Sequence, residues 1–235
     1  MSYVNLLKKI PLLFGLLLSV STQPLYAQME EEKSENNHER WYQVEMIVFA
    51  RAESNAQETW PNDLKLSYPT NLITLKSDNP ASEGFIPLSP NERLLNTQAA
   101  TLAKSGTYTV LFHQAWRQII LSHKTNIFIN GGKTYNGHQE LEGSIALNVA
   151  QYLKIQTNLW LTQFVPSGTQ VTETWPELPI PPGATINDTE KTQDYVIKRI
   201  AKISEQRTMR SNEVHYLDHS LLGVIVKIIP YDMPH

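Results

Sequence analysis

The segment HYLDH, residues 215–219, places two histidines and an aspartate in five residues, a combination that can bind metal or move protons. On a helix, His215 and His219 would sit one turn apart on one face, the spacing used by helical zinc sites. On a strand they also share a face, but a rise of ~3.3 Å per residue puts their Cα atoms ~13 Å apart. Two imidazoles must converge on one ion at ~2.0–2.1 Å to bind zinc, which an extended backbone makes difficult. The state of the backbone therefore decides the chemistry.

The surrounding residues fold on paper as a hairpin about Ser211–Asn212. Its register sets Met209 against Val214, Arg207 against Tyr216, Glu205 against Asp218, and Ala201 against Leu222. This favours a strand over 195–203, although Val196, Ile197, Ile200 and Ile203 also fit a helix. In this register His215 and His219 share one face, and Tyr216 and Asp218 take the other. Asp218 then joins Glu205, Arg199 and Arg207 in a charged cluster at the middle of the hairpin's inner face. Paired carboxylates need those arginines, because an unpaired buried charge is strongly unfavourable. Arg199, Arg207 and Asp218 are accordingly candidate ligand contacts.

A second group of candidates is aromatic. Trp60, Trp116, Trp160 and Trp175 could stack on a sugar ring, although tryptophan packs into cores at least as readily. In LFHQAWRQ, 111–118, alternation separates Trp116 from His113 and Arg117, which share the opposite face. There is no GxSxG, no HExxH and no phosphate-cradling glycine loop. Neither a catalytic set nor a resident cofactor is expected.

Several elements must position these residues. WYQVEMIVFAR, 41–51, alternates with Tyr42, Val44, Met46, Val48 and Ala50 on one face, the pattern of a half-buried strand. A polar, proline-punctuated stretch to about residue 88 predicts long loops with short strands at most. SPNE, 89–92, has the capping residues of a helix start, with Pro90 at the first helical position. Leu95, Ala99 and Leu102 supply the apolar side, and Gly106 ends it, so one helix is expected near 90–104. A strand follows over 107–118, with Tyr108, Val110, Phe112 and Trp116 on one side. Residues 142–164 are too long for one strand and predict two, with a bend near 156–158. The fold class is α+β, mainly antiparallel β with one clear helix, in one domain spanning 41–235.

The N-terminus has another character. Lys8 and Lys9 precede the apolar run IPLLFGLLLSV, and STQPLYA follows, the pattern of a signal peptide cut after Ala27. The run is short for a membrane span of ~30 Å. Residues 28–40 form an acidic leader without periodicity, expected to be disordered. There is no cysteine, so neither a disulfide scaffold nor an acylated-cysteine anchor is available. Removing residues 1–27 takes away two lysines and no acid, which leaves 18 basic against 23 acidic side chains. That balance, without a basic stripe, argues against nucleic acid as a partner.

Three segments together carry a family resemblance: WYQVEMIVFAR after the signal peptide, LFHQAWRQ, and MRSNEVHYLDHSLLGVIVKI. They resemble the CsiV family of exported peptidoglycan-binding proteins of Gammaproteobacteria, which are needed for cell-shape integrity. The C-terminal segment is the most specific. Thr208, Asn212 and Ser220 stand where the family pattern has Arg, Gly and Pro. The resemblance implies a non-enzymatic periplasmic protein with peptidoglycan as its ligand. It also implies a link to an outer-membrane lipoprotein regulator of a penicillin-binding protein. It assigns no binding residue.

Overall fold

The apolar alternation of 41–51 becomes the central strand β1, Arg40–Arg51, and the rest of the molecule is arranged around it. The structure, a computed structural model, describes residues 40–52, 61–75, 84–184 and 194–232. Trp60, the expected signal peptide and all of the expected acidic leader except Arg40 lie outside those residues. In chain order the other elements are β2 (Leu72–Thr74), β3 (Phe85–Pro87), α1 (Asn96–Lys104), β4 (Tyr108–Ile120), β5 (Thr125–Phe128) and β6 (Gly131–Tyr135). They continue with β7 (His138–Val149), β8 (Leu153–Pro166), β9 (Tyr195–Ile203), β10 (Gln206–Met209), β11 (Val214–Asp218) and β12 (Leu222–Pro230). The fold is mainly antiparallel β with one α-helix among the described residues, as α+β requires.

The strands form two sheets. The first has the order β11-β12-β1-β4-β3, and the second β10-β8-β7-β5-β2. In the second sheet β6 pairs with β7 beyond β5, and β9 pairs with β8 beyond β10. The long β7–β8 hairpin is therefore flanked on each side by two short strands laid end to end. Among the described residues all pairings are antiparallel except β2 with β5. The inner faces meet in one core, where Val44, Met46, Val48, Trp116, Ile145, Ile155 and Val224 are essentially inaccessible.

Several local expectations are corrected by the packing. β1 is buried on both faces, because Ile47 and Phe49 on its outer side are covered by Leu95, Ala99 and Leu102 of the helical segment. The helix does not start at Pro90. Residues 90–92 make one 3-10 turn, in which the Glu92 carboxylate accepts hydrogen bonds from the Ser89 N–H at 3.1 Å and hydroxyl at 2.9 Å. The chain then opens at Arg93 and α1 begins at Asn96, with Gly106 left-handed (φ 70) just beyond its end. In β4 a bulge opposite Val48/Phe49 shifts the parity. Tyr108 and Val110 face the helix, whereas Leu111, Phe112 and Trp116 face the main core. The turn dividing β7 from β8 lies at 150–152, before the expected bend at 156–158.

The largest correction is the hairpin about Ser211–Asn212. A strand does run over 195–203, but it pairs with β8, as does β10, in the second sheet. β11 instead pairs with β12 in the first sheet, with Tyr216 opposite Ile225 and Asp218 opposite Gly223. The turn with Asn212 at φ 68 therefore carries the chain from one sheet to the other. Both arrangements place an alternating strand on each side of the turn, so internal pattern alone could not distinguish them.

Candidate functional site

HYLDH lies along β11 and the turn after it. Parity separates Tyr216 and Asp218 from His215 as expected, but the faces are exchanged. Leu217 faces the core with His215, and Tyr216 and Asp218, expected on the inner face, point outward because β11 pairs with β12. His219 sits in the turn, where its Nδ1 lies 3.3 Å from the Leu221 N–H. The His215 Nε2 is 3.3 Å from the Arg210 carbonyl. Among the described residues no three metal-binding side chains come together.

The charged cluster expected around Asp218 has other members. On the outer face of the first sheet, Arg51 donates to Asp218 at 2.5 Å and to the Tyr216 hydroxyl. Tyr216 itself donates to Asp218 at 2.7 Å. The Tyr216 hydrogen bond, helped by the Arg51 charge, holds the Asp218 carboxyl below its usual range. Burial and the bond to Asp218 push the Tyr216 hydroxyl up to about 12. Glu205 is not in this cluster. It forms an ion pair with Arg207 at 3.7 Å, and Arg207 donates to the Tyr216 carbonyl at 2.6 Å. Arg199, on β9, lies opposite Gln163 of β8. The correction follows from the topology: β10 and β11 belong to different sheets. Arg51–Tyr216–Asp218 fastens the edge strand to the sheet, with Tyr216 stacked parallel to Phe49 at 6.4 Å.

The tryptophans are structural in their placement. Trp116 is fully buried, its indole N–H donating to Gln118 at 2.6 Å. Trp160 is fully buried and Trp175 nearly so, the latter donating to the Lys198 carbonyl at 3.0 Å. Trp116 and Trp160 expose no surface and Trp175 only 9%. Trp160 and Trp175 pack with Ile200 on the outer face of the second sheet, beneath Leu64, Leu66, Tyr68 and Leu178.

That same face changes character along its strands. At one end Glu142, Trp160 and Lys202 lie side by side, with Thr162 and Ile200 in the next row. The extended strap 61–70 covers this end. At the other end are Asn126, Ala146, Gln156 and Gln206 in one cross-strand row, with Asn148, Lys154 and Thr208 beyond it. Ser144 and Asn158 form the row between the two ends. The strap is pinned where it crosses the sheet: Lys202 donates to the Lys65 carbonyl at 2.6 Å, Asn158 to Ser67 at 2.9 Å and Asn126 to Thr70 at 3.3 Å. Past Ser67 and Pro69 a groove lies on the face among the described residues.

This groove, of about 430 Å³, is lined by Lys124, Asn126, Ser144, Ala146, Gln156 and Asn158 with the strap as one bank. It falls within the range of about 300–1,000 Å³ typical of small-molecule sites. Lys124 donates to the Gln156 side-chain oxygen at 2.7 Å. No residue of the groove was among the sequence candidates. A signal was present, because the outward positions of SIALNV and LKIQTN are serine, alanine, amides and one lysine. No acid occurs between Glu142 and Glu173, in a chain with 23 acidic residues.

A family model described as "Peptidoglycan-binding protein, CsiV" matches residues 12–231 of the chain. No curated protein and no solved structure matches it.

Proposed function

The chain belongs to the CsiV family of peptidoglycan-binding proteins, and from that premise we propose that it is a non-enzymatic envelope protein that binds peptidoglycan and supports wall assembly and cell shape. The match over residues 12–231 carries this reading. Residues 1–27 would act as a signal peptide delivering the protein to the periplasm. No helix among the described residues is long and apolar enough to cross a membrane. A metal-dependent hydrolase using HYLDH is the alternative reading, and it has no support among the described residues, where no three metal-binding side chains come together. An outer-membrane lipoprotein that regulates a penicillin-binding protein is the second partner in this proposal, linking wall contact to synthesis.

Co-sedimentation with purified sacculi tests the function. The protein without residues 1–27 is expected in the pellet at low and moderate salt. Because its net charge is negative, attraction to an anionic wall cannot come from bulk electrostatics and must be local. Complete recovery in the supernatant at both salt concentrations would remove wall binding. Capture of a lipoprotein partner under those conditions would then favour a protein adaptor.

A further inference from the structure

We propose that the open end of the second sheet's outer face is a saccharide subsite for an N-acetylated amino-sugar unit of a glycan chain, with the acetamido group seated over Ala146. This rests on the wall-binding reading and adds the place and chemistry of the contact. An acetamido group presents one N–H donor, one carbonyl acceptor and a methyl group. The groove offers a counterpart to each.

The polar counterparts are held in place before any ligand arrives. Asn126 and Asn158 each give an amide hydrogen to a strap carbonyl, at Thr70 and Ser67. The carbonyl oxygen of each carboxamide is then the group left to accept. Gln156 has the opposite polarity: its oxygen accepts from Lys124, which leaves its NH₂ to donate. Side chains fixed in this way lose little freedom on binding. Acceptors and a donor of fixed orientation thus surround the middle of the groove.

The apolar counterpart is Ala146. It lies in register between Asn126 on β5 and Gln156 on β8, with Ser144 and Asn148 above and below it on its own strand. One methyl among longer polar side chains makes a shallow hollow with an apolar floor, and the Pro69 ring adds an apolar surface on the bank. The face also suits a wall polymer in charge. Its paired positions from Asn126 across to Gln206 and Thr208 hold no carboxylate. Lys124 and Lys154 stand ready for the carboxylates of side branches. A peptide adding as a strand would need an unpaired sheet edge, whereas this site is the middle of a face.

The test titrates the N-acetylglucosamine tetramer, and cellotetraose as the matched sugar lacking acetamido groups, into the chain without residues 1–27. NMR or calorimetry reads the affinities. The N-acetylated tetramer is expected to bind at least about tenfold more tightly. Ala146→Leu, which fills the hollow, and Gln156→Ala are each expected to weaken it roughly tenfold. If Ala146→Leu lowers the thermal midpoint, Gln156→Ala at the surface carries the test. Equal affinity for the two sugars, or unchanged binding by a folded variant, overturns the site. Sacculus pull-down separates the two levels of failure. Variants that sediment like the wild-type protein overturn the groove and leave wall binding standing; a wild-type protein that binds neither sugar nor sacculi overturns both.

Discussion

The outer faces of the two sheets are each partly covered by a non-strand segment fastened to a buried carboxylate, and they are covered very differently. On the first sheet Glu45 projects from β1 and receives the backbone N–H groups of Leu94 at 2.5 Å and Leu95 at 2.9 Å. The His113 Nε2 lies 2.8 Å from the same carboxylate. These N–H groups belong to the N-cap residue of α1 and the residue before it, so Glu45 docks the segment that leads into the helix. On the second sheet Glu142 receives the Tyr68 hydroxyl and His138, each at 3.2 Å, and the Gln139 N–H at 2.9 Å. Nearby, the Trp160 indole N–H and Thr162 hydroxyl are buried without a hydrogen-bond partner among the described residues. A helix brings an apolar stripe that covers Ile47 and Phe49 at the middle of its face, while Ile119, Val214 and Tyr216 on that face stay exposed. A strap contributes only a few apolar side chains, closes half of its face and leaves the other half polar and open. Binding surface is available where the cover ends.

The comparison can be broken most forcefully at the covered half of the second sheet. Trp160→Ala removes the fully buried ring that Tyr68 meets at 5.1 Å and that Leu64, Leu66 and Leu178 surround. A loss of about 4 kcal/mol in urea unfolding is expected, from lost transfer energy and the cavity left behind. A loss below about 1 kcal/mol would mean that the strap contributes little to stability. Sugar binding in the groove is expected to weaken as well, since the strap forms its bank.

Glu45→Ala attacks the other cover and is expected to cost about 3 kcal/mol, because two backbone N–H groups and His113 lose a buried partner. Burial by itself would raise the Glu45 carboxyl, but the hydrogen bonds from His113, Leu94 and Leu95 outweigh it and hold the carboxyl below its ordinary 4.5. A depressed folded pKa gives stability that is present above the unfolded value and lost as pH falls through the folded one. The gap between wild type and Glu45→Ala should therefore be widest near pH 7 and shrink below about pH 4.5. A gap that stays constant from pH 7 to pH 3 would show that the Glu45 charge does not hold the helix.

The contrast between the faces also explains what could be read from the chain. β1 was legible because one face alternates cleanly, and its second buried face was not, because Glu45 breaks the outward pattern. A buried carboxylate on a strand looks like solvent exposure until the segment it docks is in place. The helix was found by its Leu95–Ala99–Leu102 spacing and misplaced at its start, since SPNE caps a 3-10 turn of its own. The hairpin about Ser211–Asn212 failed because a turn leading to another sheet carries the same residues as a turn between paired strands. The tryptophans drew attention as sugar platforms, yet three lie in cores. The groove went unread for the converse reason: Ser144, Ala146, Gln156 and Asn158 are individually ordinary and acquire a shape only when the β7–β8 hairpin and the strap bring them together.

The smallest expected effect is at the segment that looked most reactive. Asp218 closes a hydrogen-bonded triangle with Arg51 and Tyr216, but its side chain is 59% exposed, against 1% for Glu45. Water screens and competes for such a pair, so Asp218→Asn is expected to change stability by no more than about 1 kcal/mol at pH 7. Its sign follows from the depressed carboxyl: any contribution is present above the ordinary 3.8 and lost as pH falls through the folded value. Sacculus binding should be unchanged, because the triangle lies on the first sheet and the groove on the second. Loss of sacculus binding by a stable Asp218→Asn protein would move the functional surface to β11 and make the helix-covered sheet, not the strap-covered one, the face that meets the wall.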